Sequence, residues 1–273
     1  MTAPETVTNS TGRRIAYHRV RGEREAQRDD GRDHRRDDGR GAGAVLPGIV
    51  FLGGFRSDMT GTKAVDLDAR ARAAGRDFLR LDYSGHGASS GQFEDGAIGD
   101  WADDAAEAIA TLTEGPQIIV GSSMGGWIAC LIARRMPERV AGLIGIAAAP
   151  DFTEDSMWAA FDAAQRRTVM EEGHIALPSA YGEPLVITRR LIEDGRRNLV
   201  LRDPLVIPGP MHLLHGTADA DVAVERGLLL LDHADCADAR LTLVKGADHR
   251  FSGPEELALI WRTVEEVTAR LSA

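Results

Sequence analysis

Cysteine is scarce in this 273-residue chain: Cys130 and Cys236 are the whole complement, and neither belongs to a C-x-x-C pair or to the Cys/His spacing of a metal site. That argues against a disulfide framework and against a structural zinc or other metal site; two buried thiols are expected. No apolar run is long enough to span a bilayer, so no membrane span is expected. Positive charge is also short. The 32 basic residues stand against 42 acidic ones, a formal charge of -10, which disfavours nucleic acid and anionic membrane surfaces as main partners. The amino terminus lacks a basic-then-apolar signal pattern, and a cytoplasmic location is expected.

What is present is the length of one α/β domain carrying insertions, here taken as residues 1–273. Residues 21–44, "RGEREAQRDDGRDHRRDDGRGAGA", hold seven arginines, seven acids and five glycines and nothing apolar larger than alanine. Such a stretch cannot bury enough surface to offset its ordering entropy, and it reads as a solvated loop insertion. Its interleaved aspartates would repel phosphate. From Val45 strand-like and helix-like segments alternate, which implies an α/β fold with a mainly parallel central sheet flanked by helices. The rhythm breaks over residues 151–208, read as a small helical cap, and then resumes to the last helix.

The stretch "QIIVGSSMGGWIACL" carries the chemistry. A short β-branched run ends in Gly121-Ser122-Ser123-Met124-Gly125, and helical spacing follows, as in a G-x-S-x-G nucleophile elbow. The register selects Ser123. A serine hydroxyl is a weak nucleophile, so a base and an orienting acid are required. His249, in "VKGADHRFSGPEE" between the last strand and last helix, is the expected base. The acid is Asp219 or Asp221, both in "LLHGTADADVAV"; the G-x-x-D-x-x-V spacing favours Asp219, leaving Asp221 to cap the next helix. The oxyanion donors are expected to be the backbone N–H groups of Met124 and of Phe55, in the "FLGGF" loop. His86, in the turn "DYSGHGASSG", is a candidate for the substrate pocket.

These segments, with "FLGGFRSDMTGTKA", "LDYSGHGASSG", "GSSMGGW" and "DHRF", resemble the α/β-hydrolase superfamily and, more closely, its abhydrolase-domain group of palmitoyl-protein thioesterases and acyl-glucuronide esterases, over residues 45–271. The resemblance implies Ser123 as nucleophile, Asp219 as acid and His249 as base. It further implies hydrolysis of a small-molecule ester or an acylated substrate, without a cofactor.

The cap should choose the substrate. Met157, Trp158 and Phe161 either line an acyl channel or form the cap's own small core, and its arginines, such as Arg189 and Arg196, either meet an anionic substrate or are simply solvated. Two other functions share the scaffold. One is a serine peptidase or amidase; the other is a ligand-binding protein without turnover, which an intact serine, acid and histidine disfavour.

Overall fold

The computed structural model describes residues 3–22, 46–178 and 184–271. The insertion read at residues 21–44 lies outside the described residues apart from Arg21 and Gly22. Strands β1 (Glu5–Thr8) and β2 (Arg14–Val20) pair antiparallel. Then β3 (Gly48–Leu52), α1 (Thr62–Ala73), β4 (Phe78–Leu81), α2 (Ile98–Leu112), β5 (Gln117–Ser122), α3 (Met124–Arg135) and β6 (Val140–Ile146) alternate as expected. A π-helical segment, Thr153–Trp158, leads into α4 (Ala163–Glu172), β7 (His174–Leu177), β8 (Leu185–Thr188), α5 (Arg189–Arg197) and the short β9 (Leu205–Val206). The chain then runs through β10 (Met211–Gly216), α6 (Val224–His233), β11 (Ala234–Asp235), β12 (Ala239–Val244) and α7 (Pro254–Leu271).

The main sheet has the order β1-β2-β4-β3-β5-β6-β10-β12, parallel from β4 to β12, with β2 antiparallel to both its neighbours. All five residues of β3 and all six of β5 are buried, which explains their unbroken apolar character. Alternate side chains feed opposite layers. Val50, Leu52 and Ile119 pack with α2 and α3, whereas Ile49, Phe51, Ile118 and Val120 pack with α1 and α7. Helix α2 buries Ile98, Trp101, Ala102, Ala105 and Ile109, one stripe at helical spacing; α3 is buried nearly all round because it lies under both the sheet and residues 151–208.

After β3 the chain adds β4 on one side and then returns to add β5 on the other. The order therefore reverses between β3 and β5, the place where loops diverge and leave a crevice at the carboxyl edge.

Residues 151–208 are not purely helical. The segments "HIAL" and "LVIT" form an antiparallel hairpin, β7–β8. Four-residue segments are too short for periodicity to separate strand from helix, and the run beginning at Ile187 contains both: Thr188 ends β8, and its hydroxyl accepts the Leu191 N–H to start α5. The two ends of this segment are fastened together by Asp151. Its buried carboxylate accepts the N–H groups of Val200 at 2.8 Å and Leu201 at 3.0 Å. Burial raises the pKa of that carboxyl, and the two N–H bonds act against the rise. Of the thiols, Cys130 is buried as expected but Cys236 is only half-buried, its Sγ 3.3 Å from the Gly209 carbonyl. Among the described residues no helix is long and apolar enough to cross a membrane.

Candidate active site

Ser123 stands between β5 and α3 with φ 53° and ψ -118°, a backbone region that costs an L-residue about 1–3 kcal/mol and persists where the surroundings enforce it. The flanking glycines explain the enforcement. A Cβ at Gly121 would lie 2.3 Å from the Gly125 carbonyl oxygen, and one at Gly125 would lie 2.1 Å from that of Leu52. Only glycine lets the helix start this close to the sheet. Ser123 N–H donates to the Ile146 carbonyl and its own carbonyl accepts from Gly126 and Ala149, so the bend is braced from β6.

The side chains expected from distant parts of the sequence meet here. His249 Nε2 is 3.2 Å from Ser123 Oγ, and His249 Nδ1 is 2.9 Å from Asp219 Oδ2. A carboxylate can only accept, so Nδ1 carries the proton and Nε2 offers its lone pair to the serine hydroxyl. The Asp219 side chain is wholly buried; its Oδ1 accepts the N–H groups of Asp221 and Val222 at 2.9 and 2.8 Å. Asp221 does not cap α6: that helix has Ala223 at its N-cap with no side-chain bond, and Asp221 faces the cavity instead. The acid loop is ordered by Asp219 itself. His215 adds a contact the sequence did not suggest, with Nε2 donating to the Val222 carbonyl at 2.9 Å and lying 3.4 Å from Asp219 Oδ2.

The loop after β3 lies against the serine. A Cβ at Gly54 would come 3.4 Å from Ser123 Cβ, which puts the Phe55 backbone beside Ser123. Met124 is the first residue of α3, so its N–H has no carbonyl of its own helix to bond. The Phe55 ring meets Phe93, Trp101 and Phe152 edge-on at 4.9, 5.9 and 5.5 Å, contacts worth about 0.5–1.5 kcal/mol each. Two further residues steady the loop. Tyr83 Oη donates to the Gly53 carbonyl at 3.2 Å, and Asp82 accepts the N–H groups of Met59 at 2.6 Å and Ala88 at 2.8 Å. Burial raises the Asp82 pKa. Both follow the apolar run of β4, and polar residues ending a buried strand were the signal available for them.

A cavity of about 800 Å³ opens over Ser123 and His249. Its apolar lining comes from Phe55, Phe152, Met157, Leu185 and Val222, and its cationic side chains are Arg56, Lys63, Arg226 and Arg250. Three expected pocket residues are not in it. His86 is buried within an aromatic cluster of Tyr83, Phe93 and Trp101, at 5.1–5.5 Å between centroids, and its Nδ1 donates to the Ser84 carbonyl; burial lowers its pKa. Trp158 carries the guanidiniums of Arg166 and Arg196 over its ring and meets Phe161 edge-on at 6.1 Å, and Phe161 is itself buried, so these two serve the core of residues 151–208. Arg196 pairs with Glu154 and Arg190 with Asp100, away from the cavity lining. Among the described residues, ligand-type atoms gather in one group, Asp219, Asp221 and His249, within 4.8 Å of one another; two of those atoms already bond each other.

Rat palmitoyl-protein thioesterase ABHD10, a mitochondrial protein, is 33% identical over 228 residues, which cover 83% of this chain and 76% of the relative. The chain belongs to the ABHD10 family of α/β-hydrolases. The solved structure of mouse alpha/beta hydrolase domain-containing protein 10 is similar at a TM-score of 0.84 and 30% identity, covering 99% of this chain and all of the mouse chain. A putative hydrolase from Agrobacterium vitis S4 gives 0.86 and 36%, covering 98% of each chain. A broader family model, described as serine aminopeptidase S33, matches residues 49–176. That span holds the β3 loop, the elbow and α4, and it stops before Asp219 and His249. The mouse and Agrobacterium structures, by contrast, cover 99% and 98% of this chain.

Proposed function

We propose that this ABHD10-family hydrolase cleaves carboxylic esters or thioesters of acylated substrates through an acyl-enzyme on Ser123. The observation that carries the reading is the unbroken line from Asp219 through His249 to Ser123 Oγ, at 2.9 and 3.2 Å, opening on a cavity with an apolar wall. His249 Nε2 takes the hydroxyl proton as Oγ attacks the acyl carbon, while Asp219 holds the imidazole tautomer and steadies the imidazolium. Negative charge developing on the carbonyl oxygen meets the N–H groups of Met124 and Phe55, the former aided by the dipole of α3. His249 then protonates the departing alcohol or thiol. Water enters, gives its proton to the same nitrogen and attacks the acyl-enzyme, which releases the acid and restores Ser123.

The acyl group would lie against Phe55, Phe152, Met157 and Leu185, in keeping with the palmitoyl-protein thioesterase name of the rat relative. Fluorophosphonate labelling with peptide mapping tests the core of the reading without assuming a natural substrate. An adduct on Ser123 that is absent from Ser123→Ala is expected; folded protein without an adduct, or with one on Ser122, refutes it. Peptides turned over faster than acyl esters would move the assignment to amide chemistry.

A further inference from the structure

Lys63 is the one amine in the wall of the cavity, half-buried there, and the cycle above makes no use of it. The chain has 30 arginines and two lysines, Lys63 and Lys245. Where a cation is needed it almost always takes the planar guanidinium, so a compact ammonium in the first turn of α1 suggests a role set by a single carbonyl. That carbonyl is visible. Lys63 Nζ donates a hydrogen bond to the backbone oxygen of Arg250, the residue immediately after His249.

The loop around His249 is otherwise held from below. Ala218 N–H donates to the Ala247 carbonyl, which joins it to the acid loop, and the Phe251 N–H closes a turn onto Asp248. Phe251 is wholly buried yet has φ +48°, a left-handed backbone state that persists where the surroundings enforce it, and the Arg250 carbonyl belongs to the peptide leading into it. Lys63 contributes such support from α1.

We propose that Lys63 is a positioning residue for His249: from α1 it grips the Arg250 carbonyl and holds the histidine loop in register over Ser123. The inference rests on the serine-hydrolase reading above. Its charge balance fits a site kept for function. Burial, opposed by the Asp248 carboxylate and assisted by the Arg250 guanidinium, brings the Lys63 ammonium down to about 8, so at neutral pH the cation is held at a cost to the fold.

The test compares wild type, Lys63→Met and Lys63→Arg by the rate of fluorophosphonate labelling mapped to Ser123, by kcat and KM on a short uncharged aryl ester, and by Tm. In Lys63→Met, labelling and kcat should fall together by roughly 10- to 100-fold, the range lost with a hydrogen bond to a charged group, while KM changes by less than about twofold. Tm should not fall. Lys63→Arg, with a donor on a bulkier head, should recover part of the rate. A folded Lys63→Met that labels at the wild-type rate overturns the proposal and leaves the nucleophile assignment standing. Loss confined to KM would make Lys63 a substrate contact, and a lowered Tm with normal kcat would make it structural; either result also overturns it. Wild-type protein that labels nowhere on Ser123 removes both readings at once.

Discussion

The two walls of the cavity differ in what they are made of. The body wall is backbone geometry: a serine at φ 53° between two glycines, a glycine loop laid against it, and a histidine loop joined to the acid loop and to α1. The wall from residues 151–208 is side chains, Phe152, Met157 and Leu185, on a segment whose two ends Asp151 fastens together and which the pairing of Asp155 with Arg226 of α6 at 2.9 Å ties to the body. A backbone arrangement admits few substitutes, whereas an apolar wall tolerates many. The body should therefore set whether bond cleavage happens, and the added segment should set which acyl group is accepted.

The largest effect expected from breaking the body wall is Ser123→Ala, which should lower kcat by about 10⁶ with the fold intact. Asp219→Asn should follow at about 10⁴, because an amide cannot hold His249 in the required tautomer, whereas Asp221→Asn should change kcat by less than about threefold. Equal losses at the two aspartates would dissolve the distinction drawn from their hydrogen bonds. On the other wall, Phe152→Ala should cut kcat/KM for long-chain thioesters by about tenfold relative to acetyl esters, as expected for losing part of an apolar contact. If short and long chains suffer alike, the wall does not sort acyl groups.

Stability gives a smaller and differently signed contrast. The folded pKa of Lys63 lies near 8, below its ordinary 10.5, so between those values the unfolded chain binds more protons and stability rises with pH. The penalty, about 3 kcal/mol in order of magnitude, is fully present below pH 8 and gone above about 10.5. The stability of Lys63→Met relative to wild type should accordingly fall by about that amount in urea unfolding between pH 8 and pH 10.5. The smallest effect belongs to the arginine- and aspartate-rich insertion. Gly22 N–H bonds Asp77 Oδ1 just before β4, and Gly48 begins β3, so the insertion departs from and rejoins the amino edge of the parallel strands, opposite Ser123. Deleting residues 23–45 behind a short linker should leave kcat within about twofold.

How much of this was legible beforehand follows from the range of each constraint. The elbow could be read because its glycines and its strand-to-helix change lie within a few residues, and the histidine because a loop between the last strand and last helix arrives at the same sheet edge. His86 was misread for a related reason: its glycine-rich turn is at that edge, but the ring turns inward onto Tyr83, Phe93 and Trp101, and no local pattern announces that rotation. Trp158 and Phe161 suit either a channel or, more often at such spacing, a small core, and the choice depended on Arg166 and Arg196 closing over Trp158.

By itself, then, the sequence determined the alternating α/β architecture, the strained serine turn and the order of serine, acid and histidine, since period, glycine placement and loop position are properties of neighbouring residues. Only the tertiary structure decided that Asp219 faces His249 while Asp221 faces the cavity, which apolar residues of the added segment turn toward Ser123, and that Lys63 meets the carbonyl of Arg250, 187 residues away. Those outcomes depend on directions of side chains converging from separate elements, and direction across such distances is fixed by packing alone.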